Sequence, residues 1–247
     1  MATVYVGSAS IDENGNAHGG KAGNQSGREL KKQAWYLHAK GWRVFRAKRA
    51  AAAGKITKCM KAAIANRKIG YDQYQRNTLY KAAQPFGFDV SKVTTACETD
   101  CSALVRVCCA YAGITGLPSD FRTGNMPKNL LATGEFTELT GDRYTKQSAW
   151  LMAGDILVTK TKGHTVVALN DGAKAGKEEA AKSAEITGGS VNVRSGPGTG
   201  TRILGVVHKG DLLPYQGETQ NVDGRDWYLI EYQNENGWVS SKYARLV

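Results

Sequence analysis

No apolar run in this chain approaches the ~18 residues that a membrane-spanning helix needs, so no span is expected. Its start, Met1-Ala2-Thr3-Val4-Tyr5-Val6-Gly7, also lacks a basic stretch followed by an apolar one of secretory length. The expectation is a protein made in a cytoplasm without a signal peptide. Cysteines number five, an odd count, and four of them crowd between positions 97 and 109. That is a poor disulfide framework and fits a reducing compartment. Cys-x-x-Cys pairs are missing as well. A zinc site drawn from Cys97, Cys101, Cys108 or Cys109 with His164 matches no common spacing, so neither metal nor cofactor is expected. Acidic residues nearly vanish between Lys21 and Lys68, where 14 basic residues face one acid, Glu29.

What is present is a chain of 247 residues, 41% hydrophobic and 22% charged, the composition of a soluble globular protein with room for one ordinary domain and a small module. Its net charge of +11 is uneven. Residues 1–172 hold 24 Lys and Arg against 13 Asp and Glu, whereas 173–247 hold 9 of each. Such a field draws polyanions. Nucleic acid is one, with Trp35, Tyr36 and Trp42 available to stack on bases; a solvated helix face is the plainer alternative.

The stretch from Glu98 to Gly113 reads as a helix. Thr99 or Asp100 can cap it, Gly113 can stop it, and Cys101, Leu104, Val105, Cys108 and Ala112 share one face. Cys101 falls at the N-terminal tip, where free N–H groups and the helix dipole favour a thiolate. Cys108 and Cys109 read as core. Downstream, Gly154-Asp155-Ile156-Leu157-Val158 and His164-Thr165-Val166-Val167-Ala168-Leu169 read as two short strands joined by the turn from Thr159 to Gly163, with His164 opening the second.

Asp-Cys-Ser at a helix start, Gly-Asp-Ile-Leu-Val, and a histidine opening a valine-rich strand together resemble the NlpC-type branch of papain-like cell-wall cysteine peptidases. The resemblance covers roughly residues 71–172, and Ala103 stands where that family usually has glycine. It implies an α+β papain-like catalytic domain that cuts peptide links in peptidoglycan stems. Cys101 would be the nucleophile and His164 the base and later the acid. Anionic wall polymers then join the polyanions that the basic region could attract.

Taken in order, the chain opens on a strand at Thr3–Val6 and a glycine-rich polar loop from Asp12 to Glu29, long enough to be a working loop. Asp12-x-Asn14-x-Asn16 reads as a plain turn rather than a calcium loop, because Gly15 is misplaced and the twelfth position holds no glutamate. Helices are expected from Ser26 or Gly27 through Leu30, Ala34 and Leu37 to Gly41, from Ala50 to Asn66, and from Tyr71 to Ala83. A turn follows at Pro85–Phe88, then, after the cysteine helix, a short helix at Lys128–Gly134 and an edge strand at Phe136–Leu139.

Residues 173–185 read as a linker rich in Ala, Lys and Glu. From Ile186 the texture changes to short strands and tight turns, the pattern of a small β-barrel. Asn192-Val193-Arg194-Ser195-Gly196-Pro197 and Gly237-Trp238-Val239 closely resemble the signatures of bacterial SH3-like domains, which implies binding to wall peptides or cross-bridges across 186–247.

A third catalytic partner is harder to place. Asn170 shares the strand face of His164, but six residues put it about 20 Å away. The N-terminal strand and its loop are therefore expected to return beside His164, a permuted arrangement relative to the resembled fold. Gln25 is favoured over His18 and Asn24 to orient the imidazole or donate to the oxyanion, and Tyr71 is a lesser candidate for a site-lining hydroxyl. The resulting expectation is a phage or prophage endolysin acting on the peptidoglycan of Gram-positive bacteria after release from the host cytoplasm. A non-enzymatic wall-binding protein and, less favoured, a basic nucleic-acid-binding protein are the alternatives.

Overall fold

Val4-Tyr5-Val6, Val44-Phe45, Ile156-Leu157-Val158 and Val166-Val167 are apolar runs rich in β-branched residues, which suit a pleated surface buried on both faces. In the computed structural model, which describes residues 3–176 and 183–247, each run belongs to a strand of one sheet or flanks one. The chain divides into two compact units, Met1–Lys177 and Glu178–Val247.

Within the first unit the elements run β1 (Tyr5–Ala9), β2 (Leu30–Ala34), β3 (Trp42–Ala47), α1 (Ala50–Ala65), β4 (Ile69–Tyr71), α2 (Thr78–Ala83), β5 (Cys97–Thr99), α3 (Cys101–Tyr111), α4 (Met126–Ala132), β6 (Phe136–Leu139), α5 (Asp142–Thr145), β7 (Ile156–Thr159) and β8 (Thr165–Ala168). Six strands make an antiparallel sheet in the order β2-β1-β8-β7-β3-β6. A small parallel pair, β4 with β5, leads into α3. The N-terminal strand does lie against β8, with Val6 opposite Ala168 and Gly7 opposite Val167. Asn170 secures that junction: its Oδ1 accepts from the Tyr5 N–H at 2.8 Å and its Nδ2 donates to the Thr3 carbonyl at 3.0 Å.

One face of the sheet packs on α1 and α3 through Phe45, Ile56, Met60, Leu104, Val105, Cys108, Ile156 and Val167. Gly7 lets β1 approach α1, because a Cβ there would come within 2.8 Å of Met60 and Ile64. Cys59, Cys108 and Cys109 are buried free thiols in this core. The other face carries Val6, Trp42, Val44, Leu157 and Val166 beneath Tyr144 and Leu151. Gly154 adopts φ +94, and a side chain there would strike the Ala53 backbone. Next to it, Asp155 is 1% exposed and takes a two-pronged ion pair from Arg46 at 2.8 and 2.7 Å. The Gly-Asp of that segment is thus a structural joint.

The helix expected between Ser26 and Gly41 is not formed. Leu30–Ala34 is an edge strand, and Leu37, which supplied the helical spacing, is 53% exposed. Pairing with β1 overrides the local pattern, and Lys31 and Lys32 give the sheet the charged edge that discourages further pairing. The helix expected over Tyr71–Ala83 is cut to its last six residues. Asp72 Oδ1 accepts from the N–H groups of Tyr74 and Gln75, a side-chain turn that competes with helix. Ala50–Ala65 and Cys101–Tyr111 form as expected. Trp42 is 1% exposed and cannot stack on a nucleic-acid base.

The second unit is all β: β9 (Ser183–Ile186), β10 (Ser190–Arg194), β11 (Ile203–His208), β12 (Leu212–Val222), β13 (Arg225–Tyr232), β14 (Glu235–Ser240) and β15 (Ala244–Leu246). They form a seven-stranded antiparallel sheet in the order β11-β10-β14-β13-β12-β9-β15. Ile186, Val191, Val193, Ile230 and Val239 supply its core. The first strand starts at Ser183, inside the stretch read as a linker; residues 177–182 of that stretch lie outside the described residues. The longest strand, Leu212–Val222, is mostly exposed, so it carried no alternating apolar signal.

Candidate active site

Asp100 caps α3. Its backbone is extended, with φ −107 and ψ −179, and its Oδ1 accepts from the Ala103 N–H at 2.7 Å and from the Ser102 hydroxyl at 2.9 Å. Its other oxygen pairs with Arg76 Nε at 3.1 Å. Arg76 in turn donates to the Ser102 hydroxyl at 3.0 Å and to the Phe121 carbonyl. The capping carboxylate and its arginine hold the first turn rigidly, and Cys101 begins it.

Cys101 is 7% exposed. Burial, followed by the negative charge of Asp100, pushes its thiol up to about 12. The N–H groups of Thr165 and Ser102 and the charge of Arg76 act in the opposite direction, toward the thiolate. The helix tip alone therefore does not make the resting thiolate that the sequence led us to expect; desolvation wins. The Thr165 contact nonetheless sets the geometry of the site. It brings the sulfur to the first residue of β8, directly after His164.

His164 is half-buried. Its turn is locked by Thr159, whose Oγ1 accepts the His164 N–H at 3.0 Å, while the His164 carbonyl accepts from the Thr159 N–H at 3.0 Å. Burial, then the charges of His38 and Lys31, lower its imidazole to about 4. At neutral pH the Cys101 thiol and the His164 imidazole both rest uncharged.

Two tyrosines stand within electrostatic reach of the sulfur. Tyr71 closes β4, accepts a hydrogen bond from Gln73 Nε2 at 3.1 Å, and is raised to about 12, mainly by burial and also by Cys101 and Asp100. Tyr36 is raised by burial and also by Cys101, while a bond with Gln33 lowers it. Its carbonyl accepts from the Trp42 indole N–H at 2.8 Å, and His38 packs edge-on against Trp42 with ring centroids 5.3 Å apart. Lys31, Tyr36 and His38 all come from the segment expected to be helical. Only the aromatic-basic clustering of Trp35, Tyr36 and Trp42 drew attention to it, and that for a different purpose.

Gln25 lies elsewhere on the glycine-rich loop. Its side chain is exposed, and its Nε2 donates to the carbonyls of Ala22 and Gly23 at 2.9 and 3.0 Å. Asn24 accepts from the Gly27 N–H, and His18 stacks on Tyr74 with centroids 4.2 Å apart. Asp12 makes the plain turn, its Oδ1 accepting from the N–H groups of Asn14 and Asn16. Among the described residues no group of three or more His, Cys, Asp or Glu side chains could hold a metal ion. No helix among them is long and apolar enough to cross a membrane.

The fold and the site define a two-part protein: a mixed α/β unit with a cysteine at a helix tip against a histidine-bearing strand, and an all-β unit of the bacterial SH3 kind. The chain belongs to the endolysin-like domain family, whose description matches residues 6–175, and residues 189–244 match the bacterial SH3 domain. No curated protein and no solved structure matches it. The pairing of these two domains points to a peptidoglycan-hydrolysing enzyme that binds the cell wall.

Proposed function

We propose that this protein hydrolyses amide bonds of the peptidoglycan stem peptide with Cys101 as nucleophile and His164 as general base and acid, in a papain-like, NlpC-type site. The observation that carries this reading is the Thr165 N–H at the Cys101 sulfur, which brings a helix-tip thiol against the strand that His164 opens. The pairing of β1 with β8 supports a permuted arrangement of that fold.

The chemistry starts from the neutral pair. His164 takes the thiol proton as the sulfur attacks the scissile carbonyl, so a C–S bond forms while negative charge moves to the carbonyl oxygen. Asp100 occupies the Ala103 N–H with its side chain and the Leu104 N–H with its carbonyl. The Cys101 N–H, at the open end of the helix, is the donor suited to that oxyanion. The imidazolium then protonates the leaving amine as the C–N bond breaks. Water, deprotonated by the same imidazole, splits the thioester and returns the proton to sulfur. Tyr71 and Tyr36 flank the thiol and screen it from bulk water. Gln25 is assigned the holding of its own loop, since its amide is engaged with Ala22 and Gly23. The substrate is the wall of Gram-positive bacteria, reached after release from the cytoplasm in which the protein is made.

Turbidity loss of a Gram-positive cell suspension tests this reading. Cys101→Ser should reduce the rate by at least about a thousandfold, as expected when a nucleophile is removed, with an unchanged melting temperature. Undiminished lysis by the variant would leave the protein a wall-binding molecule with a cysteine in its core. Mass spectrometry of the fragments released by the parent enzyme distinguishes cleavage within the stem from cleavage at the lactyl-alanine amide.

A further inference from the structure

The second unit contains a cavity of about 340 Å³ between the turn at Gly188–Gly189, β10 and β13, within the size range of sites for small ligands. Trp227 forms a buried part of its lining, and Tyr243, 41% exposed, presents a ring at its edge. Two guanidinium groups, Arg194 and Arg225, line it together with the amide of Asn192, and no carboxylate does. Arg194 is fixed in place by a hydrogen bond from its Nη1 to the Thr201 carbonyl at 2.6 Å. A guanidinium has five N–H donors, so most of its fork remains for a ligand. Arg225 is exposed and has no ion-pair partner among the described residues.

We propose that this pocket binds the free C-terminal carboxylate of a short wall peptide. A planar guanidinium takes a carboxylate in a two-pronged grip, and a second one beside it neutralises what a single ion pair would leave exposed. The exposed ring of Tyr243 suits the apolar part of the terminal residue, and the bare backbone at Gly189 gives a peptide chain room to lie alongside. A phosphate polymer is the less suited ligand. It is drawn by an extended field of positive charge, whereas residues 173–247 carry 9 basic and 9 acidic residues. The charge here is local, as a single carboxylate requires. The assignment rests on the wall-binding reading of this unit and gives that binding a chemical target.

The full-length Cys101→Ser protein, which leaves the ligand uncut, is titrated calorimetrically with L-alanyl-γ-D-isoglutaminyl-L-lysyl-D-alanine, whose only carboxylate is the terminal one. The same peptide with a C-terminal amide is the control. The acid should bind at least about ten times more tightly than the amide, a difference of about 1.4 kcal/mol. Adding Arg225→Gln should abolish that preference with the melting temperature unchanged, and Arg225→Lys should restore part of it. Equal affinity for acid and amide, or an acid preference that survives Arg225→Gln, overturns the proposal. Displacement of the peptide by soluble poly(glycerol phosphate) at lower concentration than by N-acetyl-D-alanine overturns it too, in favour of the polymer. Failure of the wall-binding reading shows separately, as loss of co-sedimentation of the parent chain with purified sacculi. Failure of the hydrolase reading shows as lysis that survives Cys101→Ser.

Discussion

A thiol raised to about 12 and an imidazole lowered to about 4, paired as proposed, have a wide neutral window, and the window's acid edge is set by the groups around His164. Burial contributes most to the lowering, and the positive charges of His38 and Lys31 contribute the rest. A general base must be unprotonated to act, so activity should persist to pH values well below the ordinary imidazole range. Replacing His38 by Gln removes one repelling charge. The His164 pKa then rises toward 6.5, and the acid limb of kcat/KM moves to higher pH while the alkaline limb stays in place. A pH–rate profile of the two proteins measures this directly. A coincident acid limb would show that His38 serves only to pack on Trp42. Cys101 and His164 could be singled out as candidates in the sequence because each stands at the start of an element with a clear local signal. Lys31, Tyr36 and His38 were not, since their approach to the site depends on β2 pairing with β1, a contact between distant parts of the chain that helical spacing obscured.

At the scale of elements, the glycine-rich loop is held by four carboxylates, two of its own, Glu13 and Glu29, and two from beyond it, Asp72 and Glu98. Asp72 accepts from the Gly19 N–H at 2.7 Å, Glu13 from Lys21 at 2.8 Å, Glu98 from Gly23 at 2.8 Å, and Glu29 from Gln25 at 2.6 Å and Ser26 at 3.2 Å. Gathering these charges has a cost, and it falls on Glu98. That residue is buried and its Oε2 is unpartnered; burial, then Glu29, Asp72 and Glu13, raise it from 4.5 to about 8. An acid whose pKa is higher in the folded state loses stability as pH rises, here between 4.5 and about 8, because the unfolded chain ionises first. Glu98→Gln keeps an acceptor for Gly23 and cannot ionise. Its melting temperature should match that of the parent near pH 4.5 and exceed it progressively up to about pH 8. Parallel melting curves across that range would mean that Glu98 is already ionised when folded. The clasp itself was not readable in advance: the loop's length and glycines marked it as important, but Asp72 and Glu98 reach it from the flank of β4 and from β5, and each fell inside a stretch read as helix, Tyr71–Ala83 and Glu98–Gly113. The helix Cys101–Tyr111 was readable because apolar periodicity, a cap and a stop all agreed, and Ala50–Ala65 by its spacing alone, without a side-chain cap.

For the whole molecule, the proposed function distributes two kinds of attraction to a wall over two units with separate cores. The first unit holds 26 Lys and Arg against 13 Asp and Glu, so its excess of 13 positive charges more than accounts for the net +11. Part of it is internally engaged, since Arg43, Arg46 and Arg49 pair with Glu138, Asp155 and Glu135. What remains in the Lys-rich stretches acts at long range and must weaken with salt. The second unit, with 7 basic and 9 acidic residues, has no positive excess, and the binding proposed for it is by contact, within a pocket where salt screens less. A chain ending at residue 176 should therefore still cleave soluble stem-peptide fragments within about threefold of the full chain, because no residue of the proposed chemistry is removed. Its adhesion to purified walls should persist at low salt and disappear at about 1 M salt, where the Debye length has shrunk to about 3 Å. The full chain should remain bound under the same conditions. Co-sedimentation across a salt series reads both. If the truncated chain holds the wall as firmly as the full one at high salt, contact binding resides in the first unit and the SH3 domain is not the anchor.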